Sequence, residues 1–303
     1  MAKNVTPAME RYRAKQTKKK DRKQISGPFK EAFKRLLRNK LAIVGMVIVI
    51  LIILVAIFAP ILAPFGYDDQ DYMSILQGPS AAHWLGTDNF GRDILSRLIY
   101  GSRVSIPVGF ICSAFSLVFG CGLGVIAAFY GGVVEEVIMR IMDVLSAIPA
   151  MLFAIAVLAA LGNGTDKLII AIGLSTLPLF ARVARSAIYT VKEADYIESS
   201  RAIGAGSFRL MLRHMLPNAL GPIIVITTFS VAMNILVVSS LSYLGLGIVP
   251  PTAEWGSILA SAKTYITTAP HFIIFPGVII MITVFALNLL GDGVRDAFDP
   301  KLK

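Results

Sequence analysis

Phosphate chemistry would need a glycine-rich loop ending in Lys and Ser or Thr, whose N–H groups cradle the anion. Gly162-Asn163-Gly164-Thr165-Asp166-Lys167 comes nearest and lacks that spacing. Hydrolytic or metal chemistry would need histidines and carboxylates that converge. The chain has three histidines, His83, His214 and His271, and no His-Glu-x-x-His pair. His83, Asp88 and Asp93 fall in one short segment and could hold a metal or a water, although the same residues serve equally to order a loop. Cys112 and Cys121 share one apolar run. On a helix they stand roughly 13 Å apart, too far for a disulfide, and two thiols do not complete a zinc site. No nucleophile–base set emerges, which opposes an enzyme.

The elements that would position such residues are those of a membrane protein. Of 303 residues, 55% are hydrophobic and only 16% are charged, with a mean hydropathy of +0.70. Soluble domains carry roughly 25% charged residues, so an ordinary soluble domain and a disordered chain are both excluded. A membrane-crossing helix needs about 20 mostly apolar residues. Six segments approach that: 41–63, 106–130, 142–161, 168–183, 220–244 and 271–290. The fourth is short and contains Pro178. The first is too long for a cleavable signal and follows a long basic segment, so it is expected to remain as an anchor.

The net charge of +10 follows the sidedness of these spans. With residue 1 in the cytoplasm, 24 of the 29 Lys and Arg fall on the cytoplasmic side, 14 of them within 1–40. Cytoplasmic loops carry such an excess, which places both termini inside. The basic run Lys18, Lys19, Lys20, Arg22 and Lys23 suits anionic lipid better than nucleic acid. Phe29, Phe33, Leu36 and Leu37 recur at helical spacing opposite basic residues, which predicts a short interfacial helix before the first span. Residues 1–25 have no apolar period and read as mobile.

Within the spans, no Asp, Glu, Lys or Arg falls in an apolar core; Asp143 and Arg182 are expected at span ends. Ion-coupled transporters usually keep ionisable groups at membrane depth. If this chain transports, its energy comes from elsewhere. Ser116, Gly120, Gly124 and Ala128 recur every four residues and predict a close helix–helix contact.

The segment Glu193–Asn218 is polar and lies between the fourth and fifth spans. Asp195 is expected to cap a short helix with Glu198 as its capping partner, and Gly204 to end it. A second short helix is expected from Ser207 to the residue before Pro217. Such a compact rod is shaped to dock into a partner's groove.

Glu198, Gly204 and Leu216-Pro217 stand as in the EAA loop of ABC importer permeases, which this segment resembles; Ser199, Ser200 and His214 depart from the usual residues. Three more blocks are similar to the C-type permeases of dipeptide, oligopeptide and nickel importers: Leu85-Gly86-Thr87-Asp88-Asn89-Phe90-Gly91-Arg92-Asp93, with Ser96-Arg97; Pro250-Pro251-Thr252-Ala253-Glu254-Trp255-Gly256; and Gly291-Asp292-Gly293-Val294-Arg295-Asp296-Ala297-Phe298-Asp299-Pro300-Lys301. The resemblance covers about residues 28–303. It implies an all-α membrane protein with six transmembrane helices, a type I permease bundle with a cytoplasmic coupling helix. The expected divisions are a basic tail with an interfacial helix (1–40), a first span (41–63), an extracytoplasmic segment (64–103), a permease core (104–292) and a cytoplasmic tail (293–303).

The implied partners are a second, B-type permease, two ABC ATPases that bind ATP and Mg, an extracytoplasmic solute-binding protein, and lipid. No cofactor is implied in this chain. Glu198, Arg201, Ala202, Gly204, Leu216 and Pro217 are expected to couple to the ATPases. Asp88, Arg92, Asp93, Arg97, Glu254 and Trp255 are expected at the binding-protein contact, with the pore lined partly by the fifth span. The implied solute is a di- or oligopeptide, with a nickel complex, glutathione or an opine as alternatives. A membrane enzyme or an uncoupled channel is the competing class, and copurification of an ATPase would separate the two. The expected place is the bacterial cytoplasmic membrane, with multiple crossings.

The sidedness is directly testable. An impermeant thiol reagent should modify Ser80→Cys from outside intact cells and Ser199→Cys only after the inner face is opened. The reverse pattern overturns the orientation.

Overall fold

A computed structural model describes residues 28–298. The basic run at 18–23 and Asp299-Pro300-Lys301 lie outside the described residues. Among the described residues there is no strand, and the chain is helical almost throughout. Pro28–Leu36 (α1) precedes Lys40–Ile57 (α2) and one turn, Ala59–Leu62 (α3). Asn39 starts α2 as its side-chain oxygen accepts from the N–H groups of Leu41 (3.1 Å) and Ala42 (3.3 Å). Next come Ile94–Tyr130 (α4), Gly132–Ser146 (α5), Ala150–Leu161 (α6), Thr165–Lys192 (α7) and Asp195–Ala202 (α8). Ser207–Tyr243 (α9), Trp255–Ala262 (α10) and Pro270–Phe298 (α11) complete the order.

Five helices are long and apolar enough to cross a bilayer: α2, α4, α7, α9 and α11. The expected third span, 142–161, is not one helix. It breaks at 147–149, and α5 and α6 meet at an 88° bend. Pro149 is the cause, since its ring and missing N–H cannot continue α5. The path of the chain nonetheless requires a sixth crossing. Asn39 Nδ2 donates to Asp296 Oδ2 at 3.3 Å, so α2 begins and α11 ends at the same end of the bundle. Phe65 N–H donates to Ser96 Oγ at 3.1 Å, so α4 starts where α2 finishes and returns to that end, and Lys192 Nζ donates to the carbonyl of Ala128 at 2.7 Å, so α7 finishes there too. Five crossings cannot return the chain to that end. The bent pair α5–α6 carries it across.

Other boundaries also differ from expectation. The helix that carries the second span starts at Ile94, twelve residues before the apolar run, because Asp93 caps it. The fourth continues to Lys192, with Pro178 accommodated inside the helix. The sixth continues through the expected tail to Phe298. α1 ends at Leu36 and packs on α11, where Leu36 lies beside Gly293, while Phe33 and Leu37 stay exposed.

The tightest seam is α4 against α7. The stripe Ser116, Gly120, Gly124 and Ala128 is wholly buried and faces α7. Ser116 Oγ donates to the Gly173 carbonyl at 2.9 Å and shares a hydrogen bond with Thr176 Oγ1. A Cβ on Gly120 would stand 2.7 Å from both the Leu177 carbonyl oxygen and Phe180 Cβ. Small residues let the two backbones approach this closely. Cys112 and Cys121 are free and buried.

Gly120→Ala should therefore lower the midpoint of thermal unfolding in detergent, by the roughly 1–3 kcal/mol that overpacking costs. Gly122→Ala, on the same helix with nothing within 4 Å, should leave it level or raise it slightly. Equal behaviour of the two would show that the seam is not tight.

Candidate functional site

The end of the bundle that holds Asn39 and Asp296 also carries α8. Asp195 is the first residue of that helix rather than its cap. Ala194 takes the cap position and offers no side-chain bond. The expected pairing of Asp195 with Glu198 does not form. Both carboxylates instead sit in the first turn, where the helix dipole favours them. Ser199 and Ser200 turn back to the carbonyls of Asp195 and Tyr196, at 2.8 and 2.7 Å. Ile197 is the anchor; it is 1% exposed and packs with Ile188, Met211 and Met215. Glu198, Arg201 and Ala202 are exposed on the outer side.

Gly204 ends this element at φ +87°, a conformation that favours glycine, with nothing within 4 Å of its missing Cβ. The second short helix does not stop before Pro217. It runs through a π turn, Leu210–Met215, into the long α9. Leu216 N–H bonds to the Met211 carbonyl, five residues back. That wider turn relieves the clash expected between the Pro217 ring and the preceding turn. The Asn218 side chain then donates to the His214 carbonyl at 2.7 Å. So α8 is joined to α7 by two residues and to α9 by a four-residue corner. Ile203 (87% exposed) and Phe208 (72% exposed) flank that corner. Neither stood out in the sequence, because an exposed apolar residue is recognised only once its surroundings are known.

At the opposite end, the segment 63–93 folds over the start of α4. Here the structure gathers four of the six residues expected at a binding-protein contact, and it buries them. Arg92 Nε donates to Asp88 Oδ2 at 2.7 Å, and Arg92 Nη1 to Asp68 Oδ1 at 3.0 Å. Arg97 Nε lies 3.5 Å from the same Asp88 oxygen, and Arg97 Nη1 donates to the Tyr67 carbonyl at 2.9 Å. Asp93 Oδ2 accepts from the N–H and the hydroxyl of Ser96, both at 2.7 Å, while Oδ1 lies 3.0 Å from His83 Nδ1.

These carboxylates are therefore occupied within the chain. His83 meets Asp93 while Asp88 is taken by the two arginines, and among the described residues no three His, Cys, Asp or Glu side chains form a metal site. The remaining two, Glu254 and Trp255, start α10 and are fully buried. Glu254 accepts from the N–H groups of Gly256 (2.9 Å) and Ser257 (2.8 Å) and from Ser105 Oγ (3.1 Å). Burial pushes its carboxyl above the usual range, and those N–H groups partly offset this. Trp255 Nε1 donates to the Leu98 carbonyl at 3.0 Å. All six residues fix the segment and α10 onto α4; their buried side chains offer no outward surface.

Residues 120–303 match the family model for the binding-protein-dependent transport system inner membrane component. The chain belongs to that family. Residues 27–79 match the N-terminal membrane domain of oligopeptide transport permease C. The dipeptide transport system permease protein DppC of Alkalihalophilus pseudofirmus is 44% identical over 91% of this chain and 91% of its own length. A di/tripeptide transport system permease of Pseudomonas aeruginosa is 44% identical over 91% and 93%. The glutathione transport system permease protein GsiD of Pectobacterium atrosepticum is 42% identical over 93% and 94%. Among solved structures, the inward-facing MetNI methionine ABC transporter matches with a TM-score of 0.55 at 19% identity, over 67% of this chain and 96% of that one. This likeness establishes the type I importer permease fold. The chain is thus a multi-pass permease subunit of an ABC importer, a transporter component rather than an enzyme. Such a subunit works in general with a second permease, ATPases and a binding protein.

The buried ion cluster makes a clear prediction. Asp88→Ala leaves buried Arg92 with only the half-exposed Asp68 and buried Arg97 with only the Tyr67 carbonyl, and should cost about 3 kcal/mol, read as a lower unfolding midpoint and faster proteolysis of 63–93. Asp68→Ala, at a carboxylate 42% exposed, should cost no more than about 1 kcal/mol.

Proposed function

We propose that this chain is the C-type permease of a peptide importer in a bacterial cytoplasmic membrane, with both termini and α8 in the cytoplasm. It pairs with a B-type permease and two ABC ATPases, which bind ATP and Mg and supply the energy. A binding protein delivers a di- or oligopeptide to the opposite face. The peptide assignment rests on relatives named for dipeptides and tripeptides; glutathione, also a short peptide, is the substrate named for another.

The observation that carries the coupling role is the form of α8. It is a short exposed rod with one buried anchor, Ile197, and short connections to two membrane-crossing helices. Glu198, Arg201 and Ala202 face the ATPase, and the exposed Ile203 and Phe208 supply apolar contact beside them. Gly204 fixes the angle at which the rod meets α9. Leu216 and Pro217 set where the π turn gives way to α9. On the other face, the buried cluster around Asp88 holds the segment whose exposed Tyr72, Met73 and Trp84 are free to meet the binding protein.

The reconstituted transporter, with its permease partner, ATPases and binding protein, tests this reading. Gly204→Val places a β-branched residue at positive φ, a strain of about 1–3 kcal/mol on the corner. Complex assembly should survive, while dipeptide uptake and the stimulation of ATP hydrolysis by loaded binding protein both fall sharply. Glu198→Lys should act alike, because a cation at the start of α8 opposes its dipole. Gly204→Asn should retain more activity than Gly204→Val, since Asn tolerates that conformation. Normal uptake by assembled Gly204→Val and Glu198→Lys complexes would remove α8 from the transmission.

A further inference from the structure

Arg182 and Asp143 do not lie at the ends of membrane crossings. Arg182 stands ten residues before the end of α7, and Asp143, four residues before the break that follows α5, sits at the level of Arg182, about one turn deeper along α7 than the Arg185–Glu135 pair. A hydrocarbon core of about 30 Å measured from the start of α7 reaches to about residue 185. Arg182 therefore falls inside it. Its guanidinium does not reach for the nearer boundary; Nη2 donates to Asp143 Oδ1 and to Ser146 Oγ, both at 3.0 Å. Yet the pair is uncovered: the side chains are 45% and 56% exposed. Facing lipid, such charges would be costly.

A second observation concerns the backbone at the same place. The break at 147–149 leaves the last carbonyls of α5 and the first N–H groups of α6 without regular helical partners. Irregular backbone at membrane depth is tolerated only where protein buries it or water reaches it. Residues 146–150 are all exposed, so this chain does not bury them.

A third observation is the face of α7 itself. Ser175, Leu179, Arg182 and Ser186 recur at steps of four, three and four, which sets them on one side of the helix, and that side is only partly covered or open. The open faces of α2 and α11 contrast with it. There the exposed residues are Val47, Leu51, Leu54, Ile274, Met281 and Phe285, as lipid requires.

We infer that the open face shared by α7 and the α5–α6 bend lines the solute path, and that Arg182 and Asp143 are its charged contacts for a zwitterionic peptide. The guanidinium takes the solute's carboxylate as Asp143 takes its ammonium group, so the pair exchanges partners as the solute passes. This inference rests on the importer reading and adds a solute contact that the reading does not assign.

The test uses the reconstituted transporter in vesicles, carrying Cys112→Ala and Cys121→Ala. Ser175→Cys and Leu179→Cys should react with a water-soluble methanethiosulfonate at least about tenfold faster than Val47→Cys and Met281→Cys, because thiol exchange needs water and a thiolate. Radiolabelled glycyl-alanine is the transport probe. Arg182→Gln and Asp143→Asn should each lower its uptake about tenfold, the worth of one charge-assisted hydrogen bond, while stimulation of ATP hydrolysis by loaded binding protein persists. A merely structural pair would lose uptake and stimulation together. Labelling at α7 no faster than at the lipid faces, or unchanged uptake in Arg182→Gln, overturns the inference while parent uptake upholds the importer. A parent complex that neither imports the dipeptide nor responds to the loaded binding protein overturns the importer reading beneath it.

Discussion

Hydrocarbon offers no partner to a polar group, and the architecture of this chain follows from that constraint. Each backbone N–H and C=O at membrane depth must find its partner within the protein. Long helices meet that demand along most of the crossing, and side-chain hydroxyls largely turn back to carbonyls one turn earlier, as Ser113, Thr227, Ser240 and Thr283 do. Where helices meet, the few polar side chains pair with one another. Asn234 donates to Ser113 Oγ at 2.9 Å across the α4–α9 contact, far from either end. The apolar effect gives little force between helices in lipid, so the α4–α7 seam depends on close approach through small residues.

The two ends of the bundle obey different rules because water reaches them. At the end opposite α8, a segment of about thirty residues packs Leu76 and Leu85 on the core. It is fixed as well by charge. Asp88 serves two arginines, and Asp93 is at once a helix cap, a partner of His83 and a brace for Ser96. Buried charge of this kind contributes little net stability but strongly penalises any geometry that separates the partners. The result is a stiff platform. At the other end α8 has the reverse design: one buried side chain, no side-chain cap and a wide exposed face. It is held by its connections more than by its contacts, so a partner can push it as a unit.

Much of this was legible in the sequence. Apolar runs located every crossing, and the four-residue stripe from Ser116 to Ala128 correctly gave a packing face. The turn at Gly204 followed from residue type alone. What escaped was set by long-range partners. Whether Asp88, Arg92 and Arg97 face outward or lock inward depends on Asp68 and on the Tyr67 carbonyl, which no local pattern links to them. Arg182 read as a span end because its apolar run stops there, whereas the helix continues to Lys192. Pro149 was visible, but a proline in a membrane crossing can bend, break or merely mark a helix; Pro107, Pro178, Pro222 and Pro276 all lie inside unbroken helices here. Pro149 breaks its helix where the others do not, and the residue type alone does not separate those outcomes.

The placement of α8 also explains how one element can serve both sides of the membrane. It follows α7 after two residues, and α7 is tied to α5 through Arg185, whose Nε donates to Glu135 Oε1 at 2.6 Å. Tyr189 also donates to Glu135, and Lys192, nearer α8, ties α7 to the Ala128 carbonyl of α4. Under the proposed function, a displacement of α8 along the bundle moves α7 directly, and through the two bonds to Glu135 it moves α5 and the bend beyond it. The path on the α9 side is different: there the π turn, with its looser hydrogen bonding, lies between the corner and the crossing. With a two-residue join on one side and a π turn on the other, the proposed coupling turns a push on α8 into a relative movement of α7 against α9. Under the proposed function that relative movement, rather than translation of the whole bundle, is what opens the path to one face and closes it to the other.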